Sequence, residues 1–250
     1  MTQSVAQSVA RMGIIGSDGR MGQAIAALLD EGEHTCAGGV GRTHDPADLA
    51  GHADVLVDFS APDALADNLA AARGAGIPIL IGTTGLSPDH HAAIDEAART
   101  IPVLQTGNTS LGVTLLAHLV REAAARLGPD WDIEVLEMHH RMKVDAPSGT
   151  ALLLGEAAAA GRNIALADAT ESGRDGHTGR RAPGAIGFAA LRGGTVPGEH
   201  SVIFAGEDER LTFSHSAQSR AIFARGAIRA AAWLIGKAPG RYTMTDVLGL

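Results

Sequence analysis

The stretch R-M-G-I-I-G-S-D-G-R-M-G, residues 11–22, decides the fold of this 250-residue chain. Its apolar first half predicts a short strand, Arg11–Gly16, and the residues beyond Gly22 predict a helix, Gln23–Glu31. Glycines at 16, 19 and 22 therefore join a strand to a helix, which is the context of a dinucleotide-binding turn. Glycine lets the backbone approach a pyrophosphate, whose charge the start of a helix favours. A tight turn with glycines for packing alone is the alternative interpretation.

The turn departs from the common G-x-G-x-x-G spacing, because Asp18 stands where the second glycine would be. The acidic residue expected about 20 residues further on, for the ribose hydroxyls, is missing, since the second predicted strand ends at Val40-Gly41-Arg42. Without that carboxylate a 2′-phosphate is not repelled, and Arg42 or Arg20 can add a charge-assisted hydrogen bond to it. The sequence therefore predicts NADPH as the preferred cofactor, with NADH as a possible second one.

Strands and helices continue to alternate as far as residue 105, which is typical of βαβ units and a parallel sheet. The further predicted strands are 34–40, 54–60, 77–81 and 101–105, with helices at 63–74 and 88–99. The segment G-T-T-G at 82–85 follows the fourth strand, at the edge where open α/β sheets bind ligands. We expect an α/β fold whose N-terminal domain is a Rossmann-like parallel sheet.

The pattern changes after residue 110. A long helix, 113–127, leads to a strand at 132–139 and to a helix from Thr150, and a loop follows at 171–183. Segments 186–192, 199–205 and 209–216 alternate as antiparallel strands do. A final helix, 218–235, and a tail, 244–250, are expected to return to the first domain. We predict a dinucleotide-binding domain of residues 1–110 and 218–250. Residues 111–217 are predicted to form an α+β substrate and oligomerisation domain with a mixed or antiparallel sheet.

The densest chemistry lies at residues 134–150, E-V-L-E-M-H-H-R-M-K-V-D-A-P-S-G-T. His139, His140, Arg141 and Lys143 place four basic or titratable groups within five positions, just before a helix start that suits a carboxylate or phosphate. Neighbours on a strand point to opposite faces, so both histidines serve one site only if the strand ends near His139. This argues against a metal pair, and no metal is predicted. A basic, solvated strand edge is the alternative interpretation.

Composition excludes several classes of protein. The net charge of −8 argues against a nucleic-acid surface and requires a local positive pocket for an anionic substrate. The single cysteine, Cys36, forms no intrachain disulfide, which favours a reducing, cytoplasmic location, and its place in a predicted strand favours the core. The polar N-terminus lacks the features of a signal peptide, and no apolar run reaches the length of a membrane span.

These motifs are similar to those of the 4-hydroxy-tetrahydrodipicolinate reductase (dihydrodipicolinate reductase) family of diaminopimelate and lysine biosynthesis. The most specific match is E-M-H-H-R-M-K-V-D-A-P-S-G-T at 137–150. G-R-M-G at 19–22, D-F-S at 58–60 and G-T-T-G at 82–85 also match. Further matches are N-T-S-L-G-V at 108–113, T-G-R-R-A-P-G-A-I-G-F at 178–188 and G-E-H at 198–200. The resemblance implies an NAD(P)H-dependent oxidoreductase, a small anionic dicarboxylate substrate and a homotetramer.

The resemblance also implies roles for residues. His139 would be the catalytic acid or base, Lys143 the proton donor or electrostatic partner of the substrate, and His140, Gly149 and Thr150 would hold the substrate's carboxylates. Cofactor contacts are implied at Gly16, Ser17, Asp18, Gly19, Arg20, Met21, Arg42, Gly82, Thr83, Thr84, Thr106, Gly107, Asn108 and Thr109. The family often has A-N-F-S where this chain has Gly107-Asn108-Thr109-Ser110, so this wall of the nicotinamide pocket is expected to differ. Some members carry an acid in place of Gly41.

Two other functions remain open at this point. One is a related nicotinamide dehydrogenase acting on an amino acid of the aspartate or homoserine type. The Pro147–Thr150 cradle beside a dibasic strand disfavours it. The other is a non-catalytic, nucleotide-sensing protein, which would need neither Lys143 nor His139.

Overall fold

The computed structural model describes residues 9–41 and 45–250, which divide into two compact units. The first unit contains the chain up to Ser110 together with Ala221–Leu250, and the second unit is Leu111–Arg220. In the part of the chain that the model describes, no helix has the length and hydropathy that a membrane span requires.

The first unit is a six-stranded parallel sheet flanked by helices, as the alternating pattern predicted. The strands are β1 (Arg11–Ile15), β2 (Thr35–Val40), β3 (Val55–Asp58), β4 (Ile79–Ile81), β5 (Pro102–Gln105) and β11 (Gly240–Tyr242), in the order β11-β5-β4-β3-β1-β2. The helices are α1 (Arg20–Asp30), α2 (Pro46–Ala50), α3 (Leu65–Ala75), α4 (Pro88–Ala97), α8 (Ala221–Leu234) and α9 (Met244–Leu248). A 3₁₀ turn, Pro62–Ala64, precedes α3.

Burial explains the strand sequences of this sheet. Every residue of the central strands β3 and β4 is buried, and all of them except Asp58 at the end of β3 are apolar, as is usual for strands covered on both faces. The edge strand β2 is different, because Cys36 on it is exposed, so the expectation that this cysteine lies in the core is wrong. A strand at the edge of a sheet has less protein around it, and the local sequence pattern does not reveal which strand is at the edge.

The second unit is a five-stranded mixed sheet with helices on one face. Its strands are β6 (Asp132–His139), β7 (Thr170–Ser172), β8 (Ile186–Arg192), β9 (Gly198–Ala205) and β10 (Arg210–Ala217), in the order β10-β9-β6-β8-β7. Its helices are α5 (Leu111–Leu127), α6 (Gly149–Gly161) and α7 (Leu166–Ala169).

Strand direction in the second sheet corrects one prediction. β9 is antiparallel to β6 and to β10, as expected, but β8 runs parallel to β6 and β7 runs parallel to β8. The expectation of three antiparallel strands is therefore wrong for β8. The loop expected to begin at residue 171 also contains most of β7, and α2, α7 and β11 were not predicted. Each of these has five residues or fewer, too short to show a periodicity.

Along the face of β6 that the helices cover, the buried side chains change from apolar to polar. Ile133 and Val135 belong to the apolar core of the unit, which also contains Phe188, Val202 and Phe204. The next two residues on that face, Glu137 and His139, are buried but polar. The carboxyl end of this strand is therefore the polar end of an otherwise apolar core.

Close packing in the first unit gives a stability prediction. Gly226 on α8 lies against the segment before α5, and a methyl group built on it would lie 1.8 Å from the carbonyl oxygen of Thr109. Gly226→Ala should lower the free energy of unfolding by about 2–3 kcal/mol, because neither backbone can move aside. Urea denaturation measures the change.

Gly74, on α3, is the matched control for this prediction. A methyl group built there meets no atom within 4 Å. Gly74→Ala should raise the free energy of unfolding by up to about 1 kcal/mol, since alanine is the better helix former. Equal effects of the two substitutions would contradict the packing argument.

Candidate active site

The glycine turn of the first unit is open to an anion. Gly16 has φ +82°, and a methyl group built on it would lie 2.6 Å from the carbonyl oxygen of Phe59. One on Gly22 would lie 2.4 Å from the carbonyl oxygen of Gly16, so neither position accepts a side chain. Helix α1 begins after Gly19 with no side-chain cap and no acidic residue in its first turn. Its first amides therefore fit the pyrophosphate of a dinucleotide.

Two clefts run along the carboxyl edge of the parallel sheet. The Thr83 cleft, of about 420 Å³, lies over the ends of β4 and β5. The Gly41 cleft, of about 580 Å³, lies over the ends of β1 and β2. Gly19, Phe59 and Ser60 line both clefts, so the two clefts adjoin at these residues, and we refer to them together as the groove.

Most of the predicted cofactor residues line these clefts. Those in the Thr83 cleft are Gly19, Arg20, Met21, Gly82, Thr83, Thr84, Thr106, Gly107, Asn108 and Thr109. Gly16 and Asp18 line the Gly41 cleft. Ser17 lines neither cleft, and its Cβ packs against Gly39. Arg42 lies outside the described residues.

Arg20 and Thr109 both line the Thr83 cleft, and Gly41 lines the other one. The buried hydroxyl of Thr109 donates a hydrogen bond of 2.7 Å to the carbonyl oxygen of Phe223. Thr109 therefore fastens the segment before α5 to α8, and its hydroxyl is occupied within the protein.

The turn after β3 holds the residues that both clefts share. Asp58 is fully buried and accepts hydrogen bonds from the amide (2.9 Å) and hydroxyl (2.6 Å) of Ser60, from the amide group of Asn68 (3.1 Å) and from the hydroxyl of Thr83 (3.3 Å). Burial raises the pKa of Asp58, although these donors oppose the shift. The carboxyl group thus fixes the backbone that presents Phe59 to both clefts.

Aromatic residues of the groove were not predicted from sequence. Phe59 packs on Gly82, where a methyl group would lie 2.2 Å from its ring, and Phe223 lines the Thr83 cleft. Phe59 lies within the D-F-S motif, which marked the position without a role. Phe223 comes from α8, more than 100 residues away in sequence, so no local signal identified it.

The second unit centres on the buried carboxylate of Glu137. One oxygen, Oε2, lies 2.6 Å from Nδ1 of His139 and accepts from Nη1 of Arg192 at 2.8 Å. The other, Oε1, accepts from Nη2 of Arg192 at 2.8 Å and from the amide of Ser148 at 3.1 Å. Burial raises the pKa of Glu137, but the bonds from Arg192 and His139 outweigh it and hold the pKa below its ordinary value. Glu137 is therefore a fixed negative charge behind His139.

His200 lies beside His139 in the same polar end of the core. The two rings are T-shaped with centroids 5.0 Å apart. Nε2 of His200 lies 3.0 Å from Oγ of Ser148, which also accepts a hydrogen bond from the amide of Ala151. Burial and then electrostatic repulsion from His139 lower the pKa of His200 to about 4. A neutral imidazole thus lies next to the predicted acid or base.

The loop after β6 holds the remaining basic groups. Nζ of Lys143 donates to both carboxylate oxygens of Asp145 at 2.8 and 2.7 Å, and this pairing lowers the pKa of Asp145. Nε2 of His140 lies 3.3 Å from a guanidinium nitrogen of Arg220. β6 ends at His139, as expected if both histidines have roles, and the two point to different partners.

The start of α6 is open where a carboxylate would bind. Ser148 caps the helix by accepting from the amide of Ala151, and the first turn carries no acidic residue. At Gly149 a methyl group would meet no atom within 4 Å, so the approach to this helix start is clear. Thr150 follows at the second position of the helix.

Sequence reasoning missed the residues that position His139. Arg192 and His200 lie on β8 and β9, opposite β6 in the sheet, where the register pairs His139 with Arg192 and Glu137 with His200. The G-E-H motif marked His200 without a role. The described residues include no group of three His, Cys, Asp or Glu side chains able to hold a metal ion.

His200 gives a prediction on stability against pH. Its pKa is about 4 in the folded protein and 6.5 ordinarily, so between these values the unfolded chain binds a proton that the folded one does not. The free energy of unfolding should therefore fall as pH drops from 6.5 towards 4, by up to about 1.4 kcal/mol per pH unit. Urea denaturation between pH 5 and 6.5 measures how steeply the free energy of unfolding depends on pH. Most carboxyl groups titrate below this range.

The slope should become shallower in His200→Asn, which has no titrating group. His177→Asn is the matched control, because His177 is exposed in the loop before β8 and should keep the wild-type slope. An unchanged slope in His200→Asn would show that other groups cause the pH dependence.

Comparisons with known proteins agree on one family. Residues 10–109 match the family model "Dihydrodipicolinate reductase, N-terminus", and residues 112–248 match "Dihydrodipicolinate reductase, C-terminus". The chain is 52% identical to the 4-hydroxy-tetrahydrodipicolinate reductase of Zymomonas mobilis, over 98% of this chain and 99% of that one. It is 54% identical to the enzyme of the same name from Brucella abortus, over 95% and 98%.

Solved structures show the same fold at lower identity. A dipicolinate-bound dihydrodipicolinate reductase from Paenisporosarcina sp. TG-14 aligns with a TM-score of 0.74 at 21% identity, covering 95% of this chain and 98% of that one. A DAP dehydrogenase from C. glutamicum aligns with a TM-score of 0.52 at 15% identity, covering 96% of this chain and 94% of that one. The parallel sheet with a second, mixed sheet, predicted from sequence, is thereby confirmed as the fold.

Proposed function

Because the chain belongs to the dihydrodipicolinate reductase family, we propose that it reduces 4-hydroxy-tetrahydrodipicolinate to tetrahydrodipicolinate with a nicotinamide coenzyme. The observation that carries this proposal is the Glu137–His139–Arg192 network at the polar end of the second unit. A nucleotide-sensing protein has no use for a titratable group positioned in this way. An amino-acid dehydrogenase is disfavoured because both family models and the close relatives carry the reductase name.

His139 is suited to hold and move a proton. Because Nδ1 faces the carboxylate of Glu137, we assign the Nδ1 proton to that bond, which leaves Nε2 to accept or donate a proton. Arg192 neutralises Glu137, so the carboxylate orients the ring without carrying an uncompensated buried charge. The reduced nicotinamide, when bound, supplies the hydride for the substrate ring.

Lys143 and the start of α6 are suited to a substrate with two carboxylates. Nζ of Lys143 is held by an exposed aspartate, and a substrate carboxylate can replace that partner at little cost in desolvation. Gly149 and Thr150 supply a helix start, which favours a second carboxylate, and His140 supplies a further polar group nearby in the loop. These groups are local positive features in a protein of net charge −8.

Both nicotinamide coenzymes are part of the proposal. Gly41 leaves no side chain at the end of β2. In the sequence, the absence of an acid at this position favoured NADPH over NADH. Arg20 lines the adjoining Thr83 cleft, and Arg42 lies outside the described residues, so the structure favours neither coenzyme through these two arginines. We therefore propose that the enzyme uses both NADPH and NADH, with neither preferred by more than about tenfold.

The substrate itself gives the primary test of this function. The enzyme should oxidise NAD(P)H when supplied with freshly made product of dihydrodipicolinate synthase, followed by nicotinamide absorbance. Pyridine-2,6-dicarboxylate should inhibit competitively against that substrate, because it presents two carboxylates to the same groups. Absence of turnover with both coenzymes would refute the reductase function.

Lys143→Ala provides the matched test of the site. Its kcat should fall by about 10²–10⁴, the usual range for a lost proton-transfer or charge-stabilising group, while coenzyme affinity stays near wild type. Lys237, the only other lysine in the sequence, lies over the ring of Trp233, and Lys237→Ala should keep wild-type turnover. His139→Ala should behave like Lys143→Ala, though less severely where water replaces the imidazole. Near wild-type turnover in both site variants would show that the site is wrongly assigned.

The proposal includes a homotetramer formed through the second unit. The face of its sheet opposite the helices carries Leu136, Leu191 and Ile203, and Leu191 is 49% exposed in the single chain. Sedimentation equilibrium should give four times the chain mass of 25.5 kDa. Leu191→Glu should shift the protein to smaller species, since a charge cannot be buried unpaired in an interface.

Leu152 on α6 is 39% exposed, and Leu152→Glu is the control that should leave the mass unchanged. A monomeric wild type would refute the tetramer, and equal effects of the two substitutions would place the interface elsewhere.

A further inference from the structure

The carboxylate of Asp18 occupies the place where a side chain at the end of β2 would begin. A methyl group built on Gly41 would lie 2.2 Å from Oδ2 of Asp18 and 3.2 Å from its Cγ. No side chain fits at position 41 while Asp18 stays in this position. A carboxylate is therefore present beside the end of β2, but it belongs to Asp18 of the glycine turn.

The turn is tied to β2, which explains why Asp18 is there. The amides of Gly16 and Ser17 both donate to the carbonyl oxygen of Val40, at 2.9 and 3.2 Å. The side-chain amide of Gln23 donates to the carbonyl oxygen of Asp18 at 3.2 Å. These bonds hold the turn against the last residue of the strand, and Asp18 reaches over the next residue, Gly41.

The described residues that line the Gly41 cleft include two charged ones, Asp18 and Asp67, and both are acidic. Asp18 is exposed, so its carboxylate is accessible to a ligand in the cleft. Because the turn's helix start takes a pyrophosphate, the adjoining Gly41 cleft at the end of β2 is where an adenosine ribose lies in this type of fold.

We infer that Asp18 is the residue through which this enzyme distinguishes the two nicotinamide coenzymes. Its carboxylate accepts hydrogen bonds from the ribose hydroxyls of NADH and repels the 2′-phosphate of NADPH. The inference rests on the proposed function only in that it requires a nicotinamide coenzyme to bind. It assigns to the third residue of the turn the task that an acid at the end of β2 performs in dinucleotide-binding folds.

The first test is the ratio of kcat/KM for NADPH to kcat/KM for NADH, measured at fixed low salt. Asp18→Asn keeps the shape of the side chain and removes its charge, and it should raise this ratio about tenfold, equivalent to about 1.4 kcal/mol. The increase should shrink as salt is added, because the repulsion is partly exposed to solvent. Asp67→Asn removes one charge from the same cleft and should change the ratio by less than about threefold.

The second test moves the acid back to β2. Gly41→Glu alone displaces the exposed carboxylate of Asp18 from this place and crowds a second carboxylate beside it, so it should weaken binding of both coenzymes. Asp18→Gly combined with Gly41→Glu removes the collision and restores a carboxylate at the same place. The double variant should bind both coenzymes again, with a ratio within about threefold of the wild-type value.

Binding of fragments separates this inference from the proposed function. Adenosine 5′-phosphate and adenosine 2′,5′-bisphosphate carry only the adenosine end, and their dissociation constants are measured by calorimetry without substrate. Asp18→Asn should tighten binding of the bisphosphate relative to the monophosphate by about the same tenfold.

Three results would overturn the inference: an unchanged ratio in Asp18→Asn, an equal change in Asp67→Asn, or a double variant unable to bind either coenzyme. Fragment discrimination by Asp18 in a protein that does not turn over the dicarboxylate substrate would instead refute the proposed reductase function alone.

Discussion

The ion pair between Glu137 and Arg192 is the interaction on which the second unit depends. A carboxylate that is 1% exposed is tolerated in a core only when its charge is paired and its oxygens are hydrogen-bonded. Four bonds meet this condition, and they come from β6, β8 and the residue before α6. One carboxylate therefore fixes the strand pair, the helix start and the imidazole of His139 together. Loss of the guanidinium would leave a buried charge without its partner, which costs about 3–5 kcal/mol in proteins.

The first unit uses a buried carboxyl group in a similar place but with different donors. Asp58 is the last residue of a central strand, whereas Glu137 lies two residues before the end of β6, and Asp58 holds the turn that follows its strand. Its donors are neutral hydroxyl and amide groups, and its pKa is raised, whereas the guanidinium beside Glu137 lowers the pKa there. The difference suits the two positions. Asp58 shapes a groove for a coenzyme, and Glu137 stands behind a group that is expected to gain and lose a proton.

The sequence predicted those features that local patterns determine. The alternation of apolar strands with helices identified the parallel sheet, and the glycine spacing placed the turn whose residues line the groove. The parallel direction of β8 was not predicted, because alternation of side chains is the same in either direction. Arg192 and His200 were missed because their nearness to His139 depends on strand register. From the sequence, Gly41 indicated that the acid at the end of β2 is missing. No local pattern shows that the carboxylate of Asp18, 23 positions earlier, lies where a side chain of residue 41 would begin.

The contact between Asp18 and Gly41 also constrains how the sequence can change over generations. The two positions are epistatic, because the effect of any substitution at 41 depends on the residue at 18. Loss of the acid at 18 needs no other change, whereas gain of one at 41 requires the exposed carboxylate of Asp18 to move aside. The two residues are therefore expected to covary among relatives.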